Sequence, residues 1–254
     1  MCALEPGWLP QLERREEWVR TARFPPRGPI LVVAPHPDDE SLGCGGLIAA
    51  AVRRGERVHT VFVTDGGASH RNSASWTRTR LAARREAEAI EALKRLGAEQ
   101  SPRSFLGLPD ADMPSPNSSA YRIAKAHMVS ILRYLSPAFA IIPWRRDPHC
   151  DHRDSWSLVM DSLSAADHSC EVLEYAIWLD ELGLPEDRPR PIEMEILRFD
   201  ISDVVDAKKH AVRAHRSQLG QLILDDPSAF VLSDRTIERL TGPEEVYWRP
   251  CVRE

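Results

Sequence analysis

Short apolar runs and longer amphipathic stretches alternate along most of the chain. Ile30–Pro35 (ILVVAP) is continuous, rich in β-branched residues and too short for a helix, which predicts a buried strand. The stretch SLGCGGLIAAAVRRG reads as a helix that stops at Gly55, and Arg57–Thr64 (RVHTVFVT) as the next strand. A polar loop (DGGASHRNSAS) leads into TRTRLAARREAEAIEALKRLG, whose Leu81, Ile90, Leu93 and Leu96 fall near one helical face and whose Gly97 is a stop signal. A short strand (SFLGL), a Pro/Ser/Asn-rich loop from Pro109 to Ser118 and a helix from about Ser119 to Leu135 follow. The strand Ala138–Trp144 (AFAIIPW) then opens onto the loop RRDPHCDHRD. Further on, CEVLEYAIW and PIEMEILRFDI read as strands, and DVVDAKKHAVRAHRSQ as a late helix.

Strands alternating with helices imply βαβ units, right-handed crossovers and a parallel sheet. The expected fold is α/β: a single Rossmann-like domain over residues 30–254, its mainly parallel sheet flanked by helices. Residues 1–29, including the amphipathic PQLERREEWVRTARF, form an N-terminal extension packed on that domain. A chain of 254 residues, 43% hydrophobic and 28% charged, buries enough core to need no disulfides and is no mainly disordered chain. The formal net charge of −5 argues against broad binding to nucleic acid or to an anionic membrane. No apolar run approaches the roughly 20 residues of a membrane span. The five scattered cysteines, none in a C-x-x-C pair, and the absence of an apolar signal core near the start suggest free thiols in the cytoplasm.

The chemistry gathers at two strand ends. Ala34-Pro-His-Pro-Asp-Asp-Glu40 follows the first strand, where ligands collect in open α/β sheets. Three consecutive carboxylates repel one another unless a cation or a helix N-terminus compensates. His36 and Asp39 are three residues apart, so one turn aims both at a single point while Asp38 projects to another side of it. A plain helix-cap cluster is the competing reading. The second cluster, Asp147-Pro-His-Cys-Asp-His-Arg-Asp154, again directly follows a strand, with His149 and His152 three apart. Together the two clusters supply His, Asp and His, and three protein ligands plus one open position is how catalytic zinc sites are built.

His36-Pro37-Asp38-Asp39-Glu40 combined with His149-x-Asp151-His152 resembles the LmbE/PIG-L family of zinc-dependent N-deacetylases. The likeness runs from roughly Pro29 to Leu219 and includes Thr64-Asp65-Gly66, Arg85-x-x-Glu88, Leu108-Pro109-Asp110, Lys208 with Ala211, and His215-x-Ser217-Gln218. Gly67 departs from the pattern, since relatives often carry an acidic residue there. The resemblance implies His36, Asp39 and His152 as metal ligands, for Zn2+ or another divalent metal such as Fe2+. It implies Asp38 as general base, His149 as the protonated histidine that stabilises the tetrahedral intermediate, and Asp151 as the residue orienting a histidine. Arg85 and Asp110 match positions that contact substrate. The implied reaction removes an N-acetyl group from a small amino-sugar conjugate such as an N-acetylglucosaminyl compound; a metal-dependent amidase for a longer-chain or non-sugar N-acyl group stays open, as does a homo-oligomer.

Other residues have simpler readings. Gly43, Gly45 and Gly46 miss the dinucleotide-binding spacing, which speaks against a nucleotide module and for close helix packing. Cys150 is expected to point away from its neighbouring histidines. His215 and Gln218 are expected to pack or to bind at the edge of the site. Trp76 and Trp144 flank the site loops and are candidates to stack on a sugar face. Arg145 and Arg146 read equally as an anion-recognising pair and as a solvated basic pair.

Overall fold

The computed structural model describes residues 19–21 and 27–251. The buried run predicted at ILVVAP is a strand, β2 (Ile30–Ala34), with every residue buried. Alternate β2 residues face opposite ways: Ile30, Val32 and Ala34 join one apolar core, Leu31 and Val33 the other. That two-sided burial is why the run is continuously apolar instead of alternating. Around it stand β1 (Val19–Thr21), β3 (Val58–Thr64), β4 (Arg103–Leu108), β5 (Phe139–Pro143), β6 (Glu171–Tyr175), β7 (Met194–Asp200) and β8 (Glu244–Pro250). The sheet order is β1-β7-β8-β6-β5-β2-β3-β4. Among the described strands only β8 runs antiparallel to its neighbours.

Helices α1 (Asp39–Arg53), α2 (Arg78–Arg95) and α6 (Val205–Val212) cover the first core; α3 (Ser119–Leu135) and α4 (Cys150–Ala166) cover the second. Two short helices, α5 (Leu179–Leu182) and α7 (Asp234–Leu240), complete the chain order. The result is the expected three-layer α/β fold. The chain leaves β2 for β3 on one side and returns to β5 on the other, so a crevice opens beyond the carboxyl ends of β2 and β5. Among the described residues no helix is long and apolar enough to cross a membrane.

Of the expected N-terminal extension, Val19–Thr21 adds an edge strand to β7, and residues 1–18 and 22–26 lie outside the described residues. The glycines of α1 serve close packing, as expected. A Cβ at Gly43 would come within 2.3 Å of Tyr175, and one at Gly46 within 2.6 Å of Ile201. Several details differ from the sequence reading. Ile90 is half exposed while Leu81, Leu93 and Leu96 are buried. The strand read through Trp178 stops at Tyr175, because the amides of Ile177 and Trp178 donate to Asp147 Oδ2 (3.1 and 3.2 Å) and leave the ladder. The late helix ends at Val212, after which His215 and Ser217 turn inward to the buried carboxylates of Glu40 and Glu88.

Strand β8 was not foreseen, and Glu245 is the reason. Its carboxylate occupies a core-facing position, accepting from Lys208 Nζ (2.6 Å), from the amides of Gly46 and Leu47 (2.7 and 2.8 Å) and from the Tyr247 hydroxyl (2.9 Å). Lys208 and Glu245 are both buried. Lys208→Met keeps the volume but strands the carboxylate, so unfolding free energy should fall by about 3 kcal/mol. A urea titration reads this, and an unchanged midpoint would show that the backbone amides and the Tyr247 hydroxyl satisfy Glu245 without Lys208.

Candidate active site

The turn after β2 carries His36, Asp38 and Asp39. Asp39 opens α1, and its Oδ2 lies 2.9 Å from the His36 amide and 3.1 Å from His36 Nδ1. Asp38 sits at the helix N-cap position, yet its side chain makes no cap hydrogen bond. Its carboxylate pairs instead with Arg85 (Nη2 to Oδ2, 2.9 Å), which argues against the helix-cap reading of this cluster. Asp38 also has φ 151° and ψ −27°, a conformation that costs a non-glycine residue of order 1–3 kcal/mol and needs neighbours to hold it. The neighbours are present. Its amide donates to Glu40 Oε2 (2.9 Å), its carbonyl accepts from Ser41 and Leu42 (3.0 and 2.9 Å), and Arg85 grips the Pro37 carbonyl (3.0 Å). His215, fully buried, meets Glu40 Oε1 at 3.0 Å and so braces that arrangement from behind.

The loop after β5 brings the second cluster to the same place. His149 caps α4 through Nδ1, which accepts from the Asp151 amide (3.2 Å). His152 is fully buried, with Nε2 3.2 Å from Asp39 Oδ2 and Nδ1 3.5 Å from Asp147 Oδ1. Asp151 Oδ2 contacts His36 Nε2 (3.0 Å) and accepts from the Ala111 amide (2.7 Å). It therefore orients His36 with its carboxylate and His149 with its amide. Asp147, absent from the sequence-level candidates, accepts from the His149 amide (3.0 Å) and ties the loop to the turn after β6. Its place two residues before His149 was the available signal.

The donor set fits a cation. Buried His152 makes no well-aligned hydrogen bond, yet each ring nitrogen faces a carboxylate, Asp39 at Nε2 and Asp147 at Nδ1, the surroundings of a metal-binding imidazole. Asp39 Oδ2 lies within 3.2 Å of a nitrogen on both His36 and His152, and Asp39 is held ionised below its ordinary range: burial opposes this, and His152 and His36 outweigh it. The rings of His36, His149 and His152 also present nitrogens within 4.8 Å of one another, an overlapping set that shares His36 and His152. Burial pushes Asp38 up to about 6 against the pull of Arg85. Burial, with positive charge at His36 and His152, pushes His149 down to about 4.

These groups form one end of a pocket of about 380 Å³ that also includes Arg85 and Asp110. Arg85, matched to a substrate contact, spends its guanidinium on Asp38, Pro37 and the Gly66 carbonyl. Asp110 lies 3.3 Å from His36 Nε2 and accepts from the Ala68 amide (2.8 Å). Gln218 lines the pocket, whereas His215 does not. Cys150 is exposed, its thiol lying against Asp151. Trp144 cannot stack on a sugar: it is fully buried and donates from Nε1 to the Asp187 carbonyl. Neither reading of the arginine pair holds, because Arg145 is bound to Glu174 and Arg146 to Glu193, both away from the pocket. The aromatic wall is instead Trp178 and Phe230, from segments that carried no motif.

Residues 31–163 match the family model described as "PIG-L: GlcNAc-PI de-N-acetylase". The chain is 27% identical over 234 residues to the "Probable N-acetyl-alpha-D-glucosaminyl L-malate deacetylase 2" of Bacillus subtilis (strain 168), covering 86% of this chain and 96% of that one. It is 27% identical to the diacetylchitobiose deacetylase of Thermococcus kodakarensis, covering 74% and 69%. The solved N,N'-diacetylchitobiose deacetylase of Pyrococcus horikoshii superposes with a TM-score of 0.60 at 26% identity, over 78% of this chain and 72% of that one. Since the matched segment spans more than half of its length, the chain belongs to the PIG-L family of de-N-acetylases.

Proposed function

We propose that this protein is a zinc-dependent hydrolase that removes the N-acetyl group from an N-acetylglucosaminyl-type conjugate. The observation that carries the proposal is the convergence of His36 Nδ1 and His152 Nε2 on Asp39 Oδ2, at the end of a pocket that Asp38 and His149 also line. His36, Asp39 and His152 would hold the metal, zinc or another divalent ion such as Fe2+. Asp39 is preferred to His149 as third ligand because one of its oxygens already reaches both rings and brings the charge a dication needs. Bound there, the metal supplies Lewis acidity towards an acyl carbonyl and makes water nucleophilic near neutral pH.

The chain's own groups do the rest. Asp38 takes the proton of the attacking water on its free carboxylate oxygen, while Arg85 fixes the other. His149 was expected to act as a cation. Its Nδ1 accepts from the Asp151 amide, so the neutral ring carries its proton on Nε2 and donates from there to the oxyanion. The proton for the departing nitrogen then comes from Asp38. Asp151 and Asp110 hold His36 in orientation through Nε2. The products are acetate and a free amine. Two of the relatives are deacetylases of N-acetylglucosaminyl malate and diacetylchitobiose by name, which supports an amino-sugar substrate. Residues 30–254 are proposed as the catalytic unit and the cytoplasm as its compartment; the four described cysteines are free thiols.

The test is acetate release by the zinc-loaded protein from a panel of N-acetylated amino-sugar conjugates, with N-acyl amino acids and longer N-acyl amides alongside. Chelation should abolish release and added zinc should restore it. Release only from the non-sugar amides would move the assignment to a general amidase.

A further inference from the structure

We infer that the substrate's aglycone is uncharged and apolar and rests on a wall made by Trp178, Leu182 and Phe230; this builds on the deacetylase reading above. The pocket has two ends. At one, His36, Asp38, Asp39 and Asp110 are all buried, so the scissile amide must reach that end. At the other, Leu182 is 64% and Phe230 44% exposed, and Trp178 meets Phe230 edge to face with ring centroids 5.1 Å apart. Large apolar side chains left open to water along a pocket mark the surface a ligand covers.

The wall is built, not a loose tip. The Phe230 amide donates to the Ser69 carbonyl (3.1 Å) and the Leu232 amide to the Gln218 carbonyl (2.9 Å). The same segment is pinned by the Asn72 amide on Asp226 Oδ2 (2.8 Å). Beyond the buried acidic end the lining carries one exposed cation, Arg71, and one carboxylate, Asp226, which accepts from the amide of Asn72, the residue after Arg71. The two arginines that the sequence offered for a phosphate or carboxylate are bound to Glu174 and Glu193 elsewhere. An anionic aglycone therefore finds one exposed cation and a nearby carboxylate, whereas an apolar one removes Phe230 and Leu182 from water. The small Ala68 and Ala111 line the pocket beside Asp110, which suits an acetyl methyl and places the apolar group beyond the sugar instead of on the acyl side.

The experiment compares kcat/KM for free N-acetylglucosamine with its phenyl, octyl, malyl and phosphate conjugates, in both anomers, and with N-hexanoylglucosamine. Phenyl and octyl conjugates should exceed the free sugar by about tenfold or more, the scale of one good apolar contact. In Phe230→Ser that ratio should collapse towards one, and in Phe230→Leu it should largely return. A higher value for the malyl or phosphate conjugate, or for the hexanoyl sugar, overturns the inference, as does a ratio near one in the wild type. Calorimetry with the same conjugates separates this from the catalytic reading. Tighter binding of the phenyl and octyl conjugates without acetate release sinks deacetylation and leaves the apolar wall standing.

Discussion

Asp38→Asn should keep the metal that His36, Asp39 and His152 are proposed to hold and lose about 10²–10⁴-fold in kcat, the range for a positioned acid/base group. That corresponds to roughly 3–5 kcal/mol of barrier. The amide keeps the shape of the carboxylate, can still accept from Arg85 Nη2 across 2.9 Å, and has no basicity. Asparagine tolerates unusual backbone conformations about as well as aspartate, so the strained φ of 151° is not a new burden. A helix-cap role predicts the opposite result, because asparagine caps as well as aspartate. The capping hydrogen bond is missing in the structure, so that role has nothing to act through. Zinc per chain and kcat must be measured on the same preparation. Metal loss, or near-wild-type kcat, would remove Asp38 from proton transfer.

The fold was legible where burial is complete on both sides and hidden where charge enters the core. β2, β3 and β5 are short, mostly apolar runs because each is covered by helices on both faces, and their length and β-branched content expose them. β8 is no such run: its inward-facing Glu245 puts a charge in the core, and its partner Lys208 is 37 residues away. A single sequence does not display that pairing. The site divides in the same way. Residues within one strand-end turn, such as His36 and Asp39, could be placed by spacing. His36 and Asp151, 115 residues apart, meet because β2 and β5 are neighbours in a parallel sheet; the alternation implied the parallel sheet but not that strand order. The pocket wall obeys no such rule. Trp178 and Phe230 come from a post-strand turn and a loop without periodicity, while Trp144, nearer to the motif, is buried by its neighbours. Proximity in sequence misled for Arg145 and Arg146, whose acidic partners Glu174 and Glu193 lie on and beside other strands.

His152→Ala should take zinc from near one per chain to near none and abolish acetate release with it, while His149→Ala should keep the metal and lose only rate. The contrast follows from what each ring touches. His152 is fully buried, with Asp147 behind Nδ1 and the ionised Asp39, itself a proposed ligand, beside Nε2, so Nε2 is placed to share a metal with Asp39. His149 has one nitrogen committed to the Asp151 amide and lines the pocket, which leaves its other nitrogen for the substrate in the proposed reaction. Asp39→Asn should fall between them: a neutral amide can still ligate through oxygen, so zinc affinity drops first and activity partly returns at high added zinc. Truncating His152 also empties space in the core beneath the loop, and a folding defect could mimic metal loss. His152→Phe guards against this, since it fills the space and carries no ligating atom. Zinc content of the purified variants, with far-ultraviolet circular dichroism to show that each is folded, gives the answer. If His149→Ala sheds its zinc while folded Asp39→Asn retains it fully, the metal sits among the three histidines and Asp39 belongs to the hydrogen-bonded frame around it.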